Sequence, residues 1–508
     1  MFRRRSRLPA SGLAALLLTA AVAVTACAGG SDDEPQDPSP APTATAPAGD
    51  VPVPTVVGRI SGGTPDLPVN AMPAELRERF DYTETEFAIE GTARSFTPAG
   101  PLGEDGRWAV EPAGGERYRT RLLVRAPADP AAFNGTVLVE WLNVSAGRDA
   151  DPEFGFGHEA LLRAGAAYVG VSAQAVGVVG GDNLVPIEGY DPRSLVEEDP
   201  QRYAGLTHPG DDYSYDIFSQ AAAAILFPKG PAPLGELRPR RLIAAGESQS
   251  AMRMVTYVNA VAPLAKIFDG YVIHSRGPSG APLVGAQADR MPARTIVRTD
   301  TAVPVMIVQT EGDLFGLLSS FPARQEDSDN IVTWEIAGAA HADRSTTEYG
   351  RRSARMPEGA SGIAFETLCG QINDGPHGPV LRAALSAVMA WVADGTRPPA
   401  AQPLQVVDGR AIARDEFGNA LGGVRHPDVD VPIATHSGEA RPDAGIICLL
   451  FGSTTPFDAA RLAELYPTRD DYVDRVTRAA DAAVEAGFLL SFDRDAAVEK
   501  ARRAPVPA

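Results

Sequence analysis

Polar and apolar side chains alternate along residues 82–97 and again along 118–126, the period of a strand covered on one face. These two runs predict an antiparallel entry to a sheet. The pattern then changes. Residues 135–142 and 167–172 are short runs rich in apolar, β-branched and aromatic side chains, as expected of strands buried on both faces. A helical stretch is expected between them, around residues 159–164. Asp212 is placed to cap a helix over residues 213–227, with Pro228 as its stop. Residues 241–245 predict the next strand and 249–262 the next helix, ended by Pro263. Further strands are expected at 268–274, 303–309 and 331–337. Strands alternating with helices predict an α/β fold, a mostly parallel central sheet with helices on both faces. Ligands of such sheets bind at the carboxyl ends of the strands, so chemistry is sought there.

The sharpest signal is at residues 241–251. An apolar strand runs into Gly246-Glu247-Ser248-Gln249-Ser250, and a helix begins at once, with Ala251, Met254, Val258 and Val261 at helical spacing. That is the context of a nucleophile elbow, a tight turn that lifts a serine above the sheet. Gly246 meets the need for a small residue two before the serine. Ser250 stands where a second glycine is usual. A serine hydroxyl attacks only when a base removes its proton, and the base needs a carboxylate to fix its tautomer. In this arrangement the acid and the histidine follow the serine in that order, each beyond a strand. The strand at 303–309 empties into Glu311 and Asp313, and the strand at 331–337 leads to His341. Ser248, His341 and either Asp313 or Glu311 are therefore the candidate triad. Gln249 N–H is one expected oxyanion donor, and Asn143 or Val144, after the strand at 135–142, the other. Elsewhere His158 precedes a predicted helix, His274 ends a strand near the expected pocket, and His208, His377, His426 and His436 fall in polar loops. No cluster of ligands accompanies His341-Ala342-Asp343, so neither a metal nor a cofactor is expected.

These residues carry a resemblance. Residues 139–144 (VEWLNV), 246–250 (GESQS), 309–313 (QTEGD), 337–343 (AGAAHAD) and 422–427 (GGVRHP) resemble the α/β-hydrolase superfamily. Within it they resemble a poorly characterised group of secreted bacterial α/β-hydrolase-domain proteins. The resemblance implies the α/β-hydrolase fold and an esterase-like activity on a small-molecule ester, with no particular substrate. The alternative is a catalytically inactive lipoprotein that keeps the fold and binds a ligand. Beyond residue 400 the chain exceeds a minimal hydrolase. Residues 469–486 predict a helix of a C-terminal extension, stopped by Gly487, and residues 418–432 are a candidate for the active-site mouth.

The N-terminus adds an address. Arg3, Arg4, Arg5 and Arg7 precede a short apolar run over 12–24 and then Cys27, the pattern of a secretory signal with a lipobox-like cysteine. Residues 1–26 are read as a lipoprotein signal peptide and 27–54 as a lipidated cysteine with a disordered tether. Residues 55–508 are read as the hydrolase domain. The expected location is outside the cytoplasm, on a membrane through the lipid alone. The formal charge is -19. Loss of a signal with four arginines and no acids makes it more negative, which argues against nucleic acid as a partner. After Cys27 only Cys369 and Cys448 remain; in an exported chain two cysteines suggest one disulfide.

Overall fold

The computed structural model describes residues 47–182, 185–186, 190–353, 355, 365–440 and 445–507. The chain divides into two units, Met1–Ala44 and Thr45–Ala508. The signal segment and Cys27 lie outside the described residues. The tether expected to reach residue 54 gives way sooner to the folded domain. Asp50 N–H donates to Leu264 O at 3.1 Å, and Val51 is buried.

Nine strands form one sheet: β1 (Thr55–Ile60), β2 (Tyr82–Pro98), β3 (Val110–Pro127), β4 (Thr136–Trp141), β5 (Ala167–Val171), β6 (Arg241–Glu247), β7 (Gly270–His274), β8 (Val305–Thr310) and β9 (Ile331–Ile336). Their order is β1-β2-β3-β5-β4-β6-β7-β8-β9. From β1 to β5 neighbours are antiparallel, and from β5 to β9 parallel. Successive side chains of a central strand enter different cores. Val137, Val139 and Trp141 join one cluster with Leu242, Ala244 and Ile273. Leu138 joins the other with Ile243, Ala245 and Val272. Both faces are covered, so the central strands have no solvent side and no polar alternation.

The helices include α1 (Pro152–Arg163), α2 (Ser214–Leu226), α3 (Gln249–Thr256), α4 (Glu311–Phe315), α5 (Arg344–Arg351), α6 (His377–Asp394), α7 (Arg469–Glu485) and α8 (Ser491–Arg502). Residues of α2 and α3 fill the first core, those of α1 and α6 the second. Several differ from expectation. Asp212 does not cap α2; its Oδ1 accepts from Gly285 N at 2.7 Å, and it sits in a 3-10 turn, Asp211–Tyr213, that precedes the helix. Pro263 does not end the helix begun by α3. The helix widens to a π turn over Tyr257–Val261 and continues through Ala262–Ala265, a local widening that accommodates a proline ring. His158 lies inside α1 rather than before a helix, and His377 is the buried first residue of α6 rather than part of a polar loop.

Two buried arginines of β3 fix the loop after β4. Arg121 donates to Glu86 at 2.8 Å and Asp149 at 2.9 Å; Arg125 donates to Glu84 at 2.7 Å and Asp151 at 2.5 Å. Asn143 and Ala150 close that loop with reciprocal backbone bonds of 2.9 and 2.8 Å. Each guanidinium has two carboxylate partners, as burial of an ion requires.

The C-terminal extension docks on the same body. Phe488 packs on Trp334 of β9 with ring centroids 4.9 Å apart, and Arg382 of α6 binds Asp493 of α8. Gly487 follows α7 at φ 81°, a left-handed position that suits glycine. Residues 418–432 do not line the active-site mouth. Val424 N–H donates to Glu335 O at 2.7 Å and Val424 O accepts from Ala337 N at 3.1 Å, so this segment runs along β9 at the sheet edge. Cys369 and Cys448 are joined by a disulfide across a sequence separation of 79. No described helix is long and apolar enough to cross a membrane.

Candidate active site

The strand β6 stops at Glu247, and Ser248 turns the chain into α3 with φ 60° and ψ -118°. A non-glycine residue rarely holds a positive φ, and such turns recur where a side chain must be presented. Ser248 N–H donates to His274 O at 2.9 Å, which ties the turn to β7. A Cβ at Gly246 would stand 2.8 Å from the Ser250 carbonyl oxygen, so a larger residue would displace the turn. Ser250, in the place of the usual second glycine, donates its hydroxyl to Leu142 O at 3.3 Å.

Three strand ends bring the candidate side chains together. His341 Nε2 lies 2.9 Å from Ser248 Oγ, and its Nδ1 lies 2.7 Å from Asp313 Oδ1. Asp313 Oδ2 accepts from Thr310 N at 2.7 Å, at the start of α4. Burial pushes the Asp313 carboxyl up, but the His341 imidazole and the Thr310 N–H outweigh it and leave it below the usual range. Burial also pushes His341 down, yet the carboxylates of Glu247 and Asp313 bring it up to about 9.

Glu311, the other candidate acid, faces elsewhere. Its Oε2 accepts from Gly338 N at 2.9 Å, and its Oε1 from Gly438 N at 3.1 Å and Arg414 at 2.8 Å. Burial raises it, with Arg414 opposing. The histidine loop has a second tie. Asn373 Nδ2 donates to the carbonyls of Gly338, Ser437 and Ser453.

Residues 51–499 match the family described as alpha/beta hydrolase domain. The chain belongs to that family. No curated protein matches it. Among solved structures, this alpha/beta hydrolase is similar to a glucuronoyl esterase from Solibacter usitatus at 14% identity, over 53% of this chain and 74% of that one, with a TM-score of 0.26. An esterase from Pyrococcus furiosus matches at 12% identity, over 53% and 88%, with a TM-score of 0.27. A putative dienelactone hydrolase from Klebsiella pneumoniae matches at 12%, over 60% and 99%, with a TM-score of 0.25.

Of the oxyanion candidates in this alpha/beta hydrolase, Gln249 opens α3, so its N–H has no helical acceptor. Asn143 does not suit the role. Its backbone N–H donates to Ala150 O at 2.9 Å, and its Nδ2 to Glu247 O at 3.1 Å. Val144 N–H has no acceptor among the described residues.

Ser248 and His341 open on a pocket of about 590 Å³. Its apolar wall includes Phe156, Met252, Leu318, Ile447 and Leu450. Ala342 N–H donates to Leu450 O at 2.9 Å, which fixes one wall beside the histidine, and the disulfide at Cys448 holds the same turn.

His274 does not line this pocket. It is buried beneath the elbow, with Nδ1 3.1 Å from Glu153 Oε1 and Nε2 2.6 Å from His377 Nε2. Asp343 caps α5 by accepting from Thr346 N. No group of potential metal ligands is present among the described residues. Sequence reasoning missed Glu247, whose Oε1 lies 3.1 Å from His341 Nε2. Its only signal was its place directly before Ser248.

Proposed function

We propose that the protein is a serine hydrolase that cleaves carboxylic esters through Ser248, His341 and Asp313. The observation that carries this reading is the hydrogen-bonded line from Asp313 to His341 to Ser248, open to a large apolar pocket. Ser248 Oγ attacks the ester carbonyl carbon while its proton passes to His341 Nε2. The oxyanion is received by the Gln249 and Val144 N–H groups, each worth about 3–4 kcal/mol when preorganised. The alcohol leaves with the proton from His341, and water then releases the acid from Ser248 by the same route. Asp313 holds the imidazole proton at Nδ1 throughout. The pocket's apolar wall favours an ester with a bulky apolar part. A ligand-binding protein without turnover would have no use for both contacts of His341. Export and lipidation at Cys27 belong to the same proposal and rest on the sequence of the N-terminus.

The test is labelling of the purified domain with a fluorophosphonate, which reports an activated serine whatever the substrate. Rapid labelling of the parent is expected, lost in Ser248→Ala and slowed in His341→Ala. A folded parent that resists the probe would sink the reading.

A further inference from the structure

The nitrogen of His341 that faces the nucleophile has two neighbours. Ser248 Oγ is 2.9 Å from Nε2, and Glu247 Oε1 is 3.1 Å from it. Glu247 is only 6% exposed. Its Oε2 accepts from Asn143 Nδ2 at 3.2 Å, and Asn143 is itself fixed by its backbone bond to Ala150. This carboxylate is held in place, and the mechanism above gives it no task.

A neutral imidazole with its proton on Nδ1 offers one lone pair at Nε2, and the Ser248 hydroxyl is its donor. Once Nε2 is protonated it needs an acceptor, and Glu247 Oε1 is within reach. We propose that Glu247 is a positioning residue of the reaction, a second carboxylate that holds the His341 imidazolium at Nε2 while Asp313 holds it at Nδ1. The inference rests on the serine-hydrolase reading. When the bond from Ser248 Oγ to the carbonyl carbon forms, the hydroxyl proton moves to Nε2. It stays there, shared toward Glu247 and the ester oxygen, and departs with the alcohol as the carbon–oxygen bond breaks. Glu247 gains no proton in the cycle.

Other buried groups face this pair. Asp313 approaches from α4, His274 from β7, Glu153 from α1 and His377 from α6. Burial pushes His274 down, but Glu153 more than offsets this and leaves it raised; His377 is held low by burial and by His274. His274, opposite Glu247, is therefore biased toward its cationic form. Burial moves Glu247 itself up to about 7, against the pull of His341 and His274.

An imidazolium held at both nitrogens gives up its proton less readily. The stabilised charge favours the transition state, and the same stabilisation keeps the resting histidine protonated to higher pH. Removing the Glu247 charge should therefore lower the rate at the alkaline plateau and leave it little changed at the acid end of the pH scale. In Glu247→Gln the acid limb of kcat/KM should move down by about one pH unit or more, while the alkaline plateau falls about tenfold. The two profiles should converge at low pH and separate as pH rises. A uniform loss with an unmoved limb would be a structural effect and would overturn the proposal.

Histidine labelled with 13C in a Ser248→Ala background gives a readout that needs no turnover. The His341 resonance should titrate at lower pH when Glu247→Gln is added. With Glu247 intact, it should titrate above the ordinary value of 6.5. Unchanged titration in the folded variant overturns the proposal; if the variant does not fold, a His341 that titrates at or below 6.5 with Glu247 intact overturns it. The shifted titration in a protein that labels with no fluorophosphonate would uphold the pair and reject the hydrolase reading.

Discussion

Asp313 and Glu311 stand two residues apart, and their isosteric amides should separate their tasks. In Asp313→Asn the side chain must still meet Thr310 N–H, which donates to Oδ2 at 2.7 Å. The amide oxygen is drawn to that donor, so the amide nitrogen faces His341 Nδ1. A nitrogen that donates toward Nδ1 drives the imidazole proton to Nε2, and a protonated Nε2 cannot accept from Ser248. The loss expected of a wrong tautomer is on the order of 10³–10⁴ in kcat, about 4–5.5 kcal/mol of transition-state stabilisation. Glu311→Gln meets other demands. Oxygens that received Gly338 N–H, Gly438 N–H and Arg414 become one oxygen and one donor, leaving at least one buried donor without an acceptor. That should destabilise the fold by about 1–3 kcal/mol and change kcat by less than about tenfold. Turnover of a p-nitrophenyl ester and a thermal melt, run on both variants, read the two effects. If Glu311→Gln loses activity while Asp313→Asn loses only stability, the assignment of the acid is wrong.

Gly246→Ala should slow turnover by about 10- to 100-fold with little change in KM, because its Cβ meets the Ser250 carbonyl and misplaces the nucleophile; steady-state kinetics check this, and an unchanged kcat would refute it. Paired Cys369→Ser and Cys448→Ser should cost about 4 kcal/mol for a crosslink across a separation of 79. Because the turn at Cys448 also forms the pocket wall, hydrolysis of an octanoate ester should fall more than that of an acetate; equal losses would argue against a role in the wall. His158, bonded to the carbonyls of Phe154 and Gly155, is lowered by burial from 6.5 to about 4. The unfolded chain takes up this proton first, so stability should fall by up to about 3 kcal/mol as pH drops from about 6.5 to 4. A His158→Gln variant should flatten that slope in denaturant titrations, and an identical slope would dismiss the group as a contributor.

The central sheet was legible because its strands are short, mostly apolar runs set between loops and helices. Ser248, Asp313 and His341 stood out for the same reason, one at each of three strand ends. What escaped the sequence was set by distant partners. Glu311 and Asp313 are equivalent along the chain, and only Gly338, Gly438 and Arg414 around the one, and His341 beside the other, tell them apart. Asn143 has the composition of an oxyanion-loop residue, but Ala150 takes its N–H. Pro263 is an ordinary helix stop until a π turn precedes it. Strand β1 and helix α6 were not anticipated at all, and α6 begins at a histidine whose partner is His274, more than a hundred residues earlier.

Asn373 has a consequence for the enzyme's life before it is complete. The carbonyls it bridges belong to the histidine loop at Gly338 and to Ser437 and Ser453 far downstream. A chain emerging from the ribosome displays Ser248 well before the residues that brace the His341 loop have been made. The loop that carries His341 is thus braced only once Ser453 has been made, and a chain stopped before it lacks that brace.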